Sequence, residues 1–313
     1  MAGVSTIATS RGAKWLKERQ LPYSDGLEIS PSTSTFDGGG VYGVEIPAVN
    51  TFDNLSLAVR LLKERDVYCT RFNETHGSHL LTDSELTDML ALCKEEGYGL
   101  VVGLGPRPEY DVKASFYRSK FGLEQGRQLN NNDAIAQSVE EAMRLSDLGC
   151  TGLVVYDVGL LSILNRMRAE GAINARMMFK TSSHCMASNS MISKNFADLG
   201  ADSITTMHDL GLPVIAEMRK QNPDLVLDIP TDVYASKGGF IRFYELADFV
   251  AAGAPVFLKM GASVQGDPYD KIGSDLIRAR VSRVATGQEM LKRFKPDLPR
   301  ITKASRHVCL PGL

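Results

Sequence analysis

The chain has 313 residues, 43% hydrophobic and 23% charged, which is enough for a full-sized core and argues against wholesale disorder. A formal net charge of −2 gives no electrostatic case for nucleic acid or an anionic membrane, so small molecules are the expected ligands. No apolar run is long enough to span a membrane, and residues 1–19 lack a signal-peptide core, so a cytoplasmic location is expected. The five cysteines are widely spaced without a CxxC pair, which indicates reduced core residues.

Short apolar runs alternate with amphipathic stretches along the chain, a pattern typical of βα units in a parallel sheet. The predicted strands are residues 41–49, 67–73, 99–103, 152–157, 177–182, 203–207, 225–229 and 255–260. The glycines predicted to end the intervening helices are Gly97, Gly149, Gly171, Gly200 and Gly253. Eight such units favour an α/β protein with a single (β/α)8 barrel of the TIM type over an open sheet, and no GxGxxG nucleotide-binding motif follows the first strand.

Three regions are expected: an N-terminal extension over residues 1–39, the barrel strands and helices over 40–263, and the last barrel helix with a basic tail over 264–313. Residues 270–306 carry ten Lys or Arg against four Asp or Glu. This excess predicts a helical extension that is either solvated or in contact with a second copy in a homo-oligomer, with contact to an anion as the alternative.

The connection after the third strand, over residues 103–130, is far longer than an ordinary βα loop. The alternative interpretation is a disordered, solvated linker, but the aromatic side chains of this segment are unusual for one. We therefore predict a lid or a partner-subunit contact that brings Arg107 to an anionic ligand.

In barrels of this kind the active site lies at the C-terminal ends of the strands, so polar residues there are candidates. The predicted catalytic residues are Asp157, Lys180, His184, Asp228 and Lys259. Asp157 or Asp228 would act as the general base, and a lysine or His184 as the acid. Asp228 and Lys259 could instead form a buried ion pair that only closes the barrel. On the first strand, Glu45 is expected to pair with one of the lysines, and a role as a metal ligand is the alternative.

Basic residues at or just beyond the strand ends make the predicted barrel mouth cationic, although the chain as a whole is slightly acidic. The implied partner is a small molecule that carries a carboxylate or a phosphate, which arginine side chains and glycine N–H groups bind well. The predicted substrate-binding residues are Arg71, Asn73, Arg107, Ser182, Asp232, Lys237, Arg242 and Gly261. Bond cleavage, by a hydrolase or a lyase, is the expected reaction.

The sequence leaves the cofactor open. It lacks the pair of histidines one residue apart that barrel-type zinc hydrolases show on a strand, but His184, His208 and Asp228 could hold a divalent metal from separate strands. Schiff-base chemistry needs a desolvated lysine beside another cation, and Lys180 and Lys259 both fit in residue type.

The stretches LDIPTDVYASKGGFIR (residues 227–242) and APVFLKMGA (254–262), with GLVVYDVGLL (152–161) and FKTSSH (179–184) upstream, carry a family likeness. Over about residues 67–263 the chain resembles proteins labelled peptidase family U32, as a divergent branch without the cysteine-rich signature. The resemblance implies a (β/α)8 barrel and, by the family name, peptide hydrolysis. Proteins with this label also include RNA- and quinone-modification proteins, so the resemblance implies an RNA- or cofactor-modification protein as one alternative to a hydrolase or lyase. The other alternative is a non-catalytic ligand-binding or assembly subunit of this type, whose polar mouth holds a ligand without turning it over.

Overall fold

Eight parallel strands close into a barrel in the computed structural model, which describes residues 11–23, 30–104, 128–268 and 270–312. Each strand pairs with the next along the chain, and the eighth pairs with the first. The strands are β1 (Tyr42–Pro47), β2 (Arg71–Asn73), β3 (Gly99–Gly103), β4 (Gly152–Val155), β5 (Met178–Thr181), β6 (Ser203–Thr205), β7 (Val226–Pro230) and β8 (Val256–Lys259). The predicted single (β/α)8 barrel is confirmed. Each observed strand overlaps its predicted range, although β2 is four residues shorter than predicted.

Helices alternate with the strands and cover the outside of the barrel. They are α1 (Arg11–Glu18), α2 (Phe52–Glu64), α3 (Asp83–Glu96), α4 (Asn132–Asp147), α5 (Val158–Glu170), α6 (Ser190–Asp198), α7 (Leu212–Gln221), α8 (Leu246–Gly253) and α9 (Ser274–Phe294). Strand residues such as Val44, Phe72 and Leu153 are completely buried in one apolar cluster with helix residues. A parallel sheet covered by helices needs such apolar outer faces.

The helix boundaries follow from local sequence. Thr51 caps α2 by accepting a hydrogen bond from the backbone N–H of the third residue along. Gly97 and Gly171 end α3 and α5 in the left-handed conformation, as predicted. Gly253 was expected to do the same, but it is the last residue of α8 and has no positive φ. A Cβ there would lie 2.9 Å from Ile215, so close packing between neighbouring helices explains this glycine.

The C-terminal segment, residues 295–312, closes the N-terminal end of the barrel. At the start of β3, the Leu100 N–H donates to the carbonyl oxygen of Cys309 at 3.2 Å. Gly99 permits this approach, because a Cβ there would lie 1.6 Å from the carbonyl oxygen of Val308. The predicted C-terminal helix is present as α9, and the chain that follows it packs as a plug under the barrel.

The long connection between β3 and α4 is only partly described. The predicted lid falls largely on residues 105–127, which lie outside the described residues, and Arg107 is among them. Among the helices in the described parts of the chain, none has both the length and the apolar character needed to cross a membrane.

Candidate functional site

A layer of charged side chains crosses the interior of the barrel. It consists of Glu45 (β1), Arg71 (β2), Lys180 (β5), Asp228 (β7) and Lys259 (β8), and is called the charged layer below. These residues come from five strands yet contact one another, so they lie inside the barrel. Barrel interiors are usually filled by branched apolar residues, and buried charges are costly unless paired. The charged layer is therefore an exceptional feature of this fold.

Glu45 is the centre of the charged layer. Its Oε2 accepts hydrogen bonds from Arg71 Nε at 2.7 Å and from Lys180 Nζ at 2.5 Å, and Lys259 Nζ lies 3.4 Å from Oε1. Burial alone would raise the pKa of this carboxyl, but the three cations hold the pKa well below its usual range. Glu45 is therefore ionised, and it pairs with both lysines, where the sequence predicted one.

Arg71 connects Glu45 to Asp228. Its guanidinium donates to both carboxylates and, at 2.8 Å, to the carbonyl oxygen of His307 in the C-terminal segment. Burial would lower the pKa of Arg71, but Asp228 and Glu45 outweigh it and raise the pKa above the usual value. The other carboxylate oxygen of Asp228, Oδ2, is buried and accepts no hydrogen bond from the described residues.

Lys180 lies between two carboxylates. Its Nζ donates to both oxygens of Glu45 and lies 3.4 Å from Asp228 Oδ1. Burial nevertheless lowers the pKa of Lys180 to about 8, and the neighbouring cations add to this effect. When all groups are ionised, the layer holds three cations and two carboxylates, and so carries a net charge of +1. That surplus positive charge has no counterpart within the layer.

An open cavity, the mouth cavity, lies at the C-terminal ends of the strands, with about 460 Å³ of empty space that includes open solvent. Among the described residues, its ionisable lining side chains are Tyr156, His184, His208, Tyr234, Lys237 and Lys259. An adjoining open cavity, with about 330 Å³ of empty space, shares Lys259, His208 and Tyr234 with it and extends to Asp232. Among the described residues that line the mouth cavity itself there is no carboxylate.

Lys259 connects the charged layer to the mouth cavity. It is the member of the layer that lines this cavity, and its side chain is 16% exposed, against 2% or less for the other four. It is the last residue of β8, two positions beyond the inward-facing Phe257. The surplus charge of the layer is thus accessible to a ligand through Lys259.

Two residues that line the cavity with Lys259, His208 and Tyr234, carry side chains that can transfer protons but are uncharged at neutral pH. Burial lowers the pKa of His208 to about 4, and Lys259 and Lys237 contribute to the lowering. Its imidazole is therefore neutral at neutral pH. Burial raises the pKa of Tyr234, although the nearby Arg280 and Lys259 favour the ionised form, so the phenol keeps its proton. These groups can accept and donate a proton.

The structure brings together part of the predicted site. The predicted residues that line the mouth cavity are Asn73, Ser182, His184, Lys237 and Lys259. His184 also stacks on Tyr156, with ring centroids 6.1 Å apart. Arg71, Lys180 and Asp228 lie in the charged layer and not among the lining residues of this cavity. The predicted catalytic set is therefore divided between the cavity and the layer.

Asp157, predicted as a general base, caps α5. Its two carboxylate oxygens accept backbone N–H groups from Leu160 at 2.7 Å and from Leu129 at 2.8 Å. A carboxylate in this position satisfies otherwise unpaired donors at the helix start. Because both oxygens are engaged by the backbone, Asp157 is poorly placed to take a proton from a ligand.

Asp232 and Gly261 bind each other. The Gly261 N–H donates to Oδ1 of Asp232 at 2.8 Å, and Ser263 donates to Oδ2 from its backbone N–H at 2.9 Å and its hydroxyl at 2.6 Å. Gly261 has a φ of +97°, a conformation that favours glycine. This carboxylate thus fixes the loop after β8 beside Lys259.

Arg242 is held away from the mouth cavity. Its guanidinium bonds to the carboxylate of Glu245 and, at 2.7 Å, to the carbonyl oxygen of Leu210. It is not among the residues that line either cavity. Arg107, the other predicted arginine of the substrate site, belongs to the residues that the structure leaves undescribed.

The strand-end rule did not select Thr205 and Tyr234, which also line the mouth cavity. Thr205 ends β6, and its buried hydroxyl has no hydrogen-bond partner among the described residues. The alternation of faces along a strand could have identified Thr205, because it lies two positions after Ser203 and so on the same face of β6. Tyr234 lies in the loop after β7, where no strand period applies, so it has no comparable signal in the sequence.

The alternative metal set does not form. Among the described residues, no three His, Cys, Asp or Glu side chains lie together in a way that could hold a metal ion. Asp228 is engaged by Arg71 and Lys180, whereas His184 and His208 line the cavity.

The fold and the site define a TIM barrel with a cationic mouth. No protein-family model and no curated protein matches the chain. Similar solved structures include the U32 peptidase Mk0906, at 13% identity and a TM-score of 0.43, covering 75% of this chain and 95% of that one. A truncated 3-deoxy-D-arabino-heptulosonate 7-phosphate synthase from Thermotoga maritima has 13% identity and a TM-score of 0.48, covering 88% and 92%. N-acetylneuraminate lyase from Mycoplasma synoviae has 12% identity and a TM-score of 0.42, covering 80% and 78%. These likenesses concern the fold alone, and U32 membership stays a hypothesis.

Proposed function

We propose that this protein is an enzyme that cleaves a bond in a small anionic substrate bound in the mouth cavity, as a hydrolase or a lyase. The observation that carries the proposal is the position of Lys259. It lines a cavity with a second cation, Lys237, and with no carboxylate among the described lining residues, above a layer that carries surplus positive charge. A carboxylate or phosphate group on a substrate would complement this charge.

The proton transfers are assigned to groups that face the cavity. His208, neutral because burial lowers its pKa to about 4, is proposed as the general base, in place of the backbone-engaged Asp157. His184 and Tyr234 are proposed as proton donors. Lys180 and Asp228 do not contact Lys259; they would act on it through Glu45, which contacts both lysines, and through the field of the charged layer.

The test is turnover of a panel of small phosphate- and carboxylate-bearing compounds, followed by liquid chromatography and mass spectrometry. Lys259→Met should lower kcat/KM by on the order of 10²-fold or more, because a preorganised charge is lost. Lys292→Met, which removes an exposed lysine in the last turn of α9, is the matched control and should leave turnover unchanged.

Two outcomes would contradict the proposal. Equal turnover in Lys259→Met and in the control would remove Lys259 from the site. A compound that stabilises wild-type protein but not Lys259→Met, and that is returned unchanged after long incubation, would favour the alternative of a non-catalytic ligand-binding protein.

A further inference from the structure

Two buried lysines share Glu45, but they differ in their access to a ligand. Lys180 is 2% exposed, donates to both oxygens of Glu45, and does not line the mouth cavity. Lys259 is 16% exposed, lies 3.4 Å from one oxygen of Glu45, and lines both the mouth cavity and the adjoining cavity. Of these two lysines, Lys259 is therefore the one whose amino group a substrate can reach.

The surroundings of Lys259 suit an amine that reacts as a nucleophile. Glu45 carries one negative charge and is shared by three cations, so it cannot neutralise Lys259 alone. Lysines that form imines are commonly desolvated and lie beside another cationic group. A neutral imidazole, His208, and a protonated phenol, Tyr234, line the same two cavities.

We propose that Lys259 forms an imine with a carbonyl carbon of the substrate, which restricts the substrate class to small carbonyl compounds that carry an anionic group. Carboxylate-bearing and phosphate-bearing carbonyl compounds share this chemistry. Lys237, the second cation in the mouth cavity, would hold the anionic group. This inference rests on the proposed function, because it needs the substrate to bind in that cavity.

The proton transfers can be assigned to groups that face the cavity and to solvent. One proton of the Lys259 ammonium passes through His208 to solvent, and the free amine attacks the carbonyl carbon. A C–N bond forms, the π electrons of C=O move to the oxygen, and this oxygen takes a proton from Tyr234. The adduct nitrogen returns one proton to the Tyr234 phenolate, and its lone pair then expels the hydroxyl group as water, which takes a proton back from solvent through His208. The product is a protonated imine, which withdraws electrons from an adjacent bond and would allow a lyase to break it.

The test is reductive trapping with sodium borohydride, in the presence of pyruvate or of dihydroxyacetone phosphate as the probe. Reduction of an imine fixes the probe to the lysine, with loss of one water and gain of two hydrogens, and peptide mass spectrometry locates the label. The label should lie on Lys259 in wild-type protein and in Lys292→Met. It should be absent from Lys259→Arg, which keeps the positive charge but has no nucleophilic amine.

The outcomes separate this inference from the function on which it rests. A label on Lys180 or Lys237, or no borohydride-dependent label with either probe, overturns the imine. Thermal shifts with the same probes then decide about the site. Stabilisation of wild-type protein that is lost in Lys259→Met would keep the anion-binding mouth without covalent chemistry, whereas equal shifts in both proteins would overturn the proposed function as well.

Discussion

Replacing Glu45 by glutamine tests whether the charged layer depends on one carboxylate. The substitution keeps the size of the side chain but leaves Asp228 as the one carboxylate against three cations, so the net charge of the layer rises from +1 to +2. Breaking a buried ion pair by removing one partner costs about 3–5 kcal/mol, because the remaining charge stays buried. Glu45 has three such partners, so we expect the upper part of this range.

The expected loss can be converted into a melting temperature. With an unfolding entropy of about 2.1 cal mol⁻¹ K⁻¹ per residue over 313 residues, a loss of about 4–5 kcal/mol predicts a decrease of about 6–8 °C. Calorimetry of wild-type protein, Glu45→Gln and the exposed control Glu289→Gln would measure it. A decrease of less than about 1 °C in Glu45→Gln, equal to that of the control, would refute the idea that buried charge compensation holds this layer together.

A second substitution tests whether Glu45 and Lys180 are energetically coupled. Lys180→Met in the Glu45→Gln background removes one of the three cations and returns the net charge of the layer to +1. The double variant should therefore lose less stability than the two single variants added together, by roughly 1–3 kcal/mol of coupling. Additive losses would mean that Glu45 and Lys180 are not energetically coupled.

Three further predictions concern stability. The pKa of Lys180 is about 8 in the folded protein, below its usual 10.5, so between these pH values the unfolded chain binds more protons than the folded one. As the pH rises from 8 to 10.5, wild-type protein should therefore gain stability relative to Lys180→Met, as measured by urea unfolding. Burial raises the pKa of Glu74 from 4.5 to about 7, although backbone N–H groups favour its charged form. The stability that wild-type protein has relative to Glu74→Gln should therefore be greatest below pH 4.5 and should be lost as the pH rises through 7. Gly99→Ala should cost about 1–3 kcal/mol or more, because the new methyl group collides with Val308. Gly273→Ala, measured in the same way, should cost less, because it meets open space and loses only the preference for glycine over alanine at the N-cap of α9.

The fold could be predicted from the sequence because the same local pattern occurs eight times. Each strand is an apolar run that ends near polar residues, and each following helix has a cap that the sequence displays, such as Thr51 before α2 and Gly97 after α3. The C-terminal plug could not be predicted, because it depends on contacts between distant residues. Gly99 is the local trace of that plug, but a glycine in a strand is equally compatible with a bulge or a tight bend.

The sequence could predict which end of the barrel holds the candidate site, but not how deep each side chain lies in the barrel. The strand-end rule found Lys259, Ser182 and His184, which line the mouth cavity. Lys180 on β5 lies two residues before Ser182, and this difference in depth places Lys180 in the charged layer while Ser182 lines the cavity. How far each strand reaches depends on the stagger of the closed barrel, which the sequence does not display. For Asp157 a local signal did exist, because a carboxylate just before an apolar helix is typical of an N-cap.

The central claim is that a small anionic substrate binds at Lys259 in the mouth of the barrel. A crystal structure with the anionic compound that most raises the melting temperature of wild-type protein would test it most directly. We expect density for the anionic group in the mouth cavity, within hydrogen-bond distance of the Nζ of Lys259 or Lys237. Density for the compound at the opposite end of the barrel instead, beside Arg306 in the C-terminal segment, would contradict this claim.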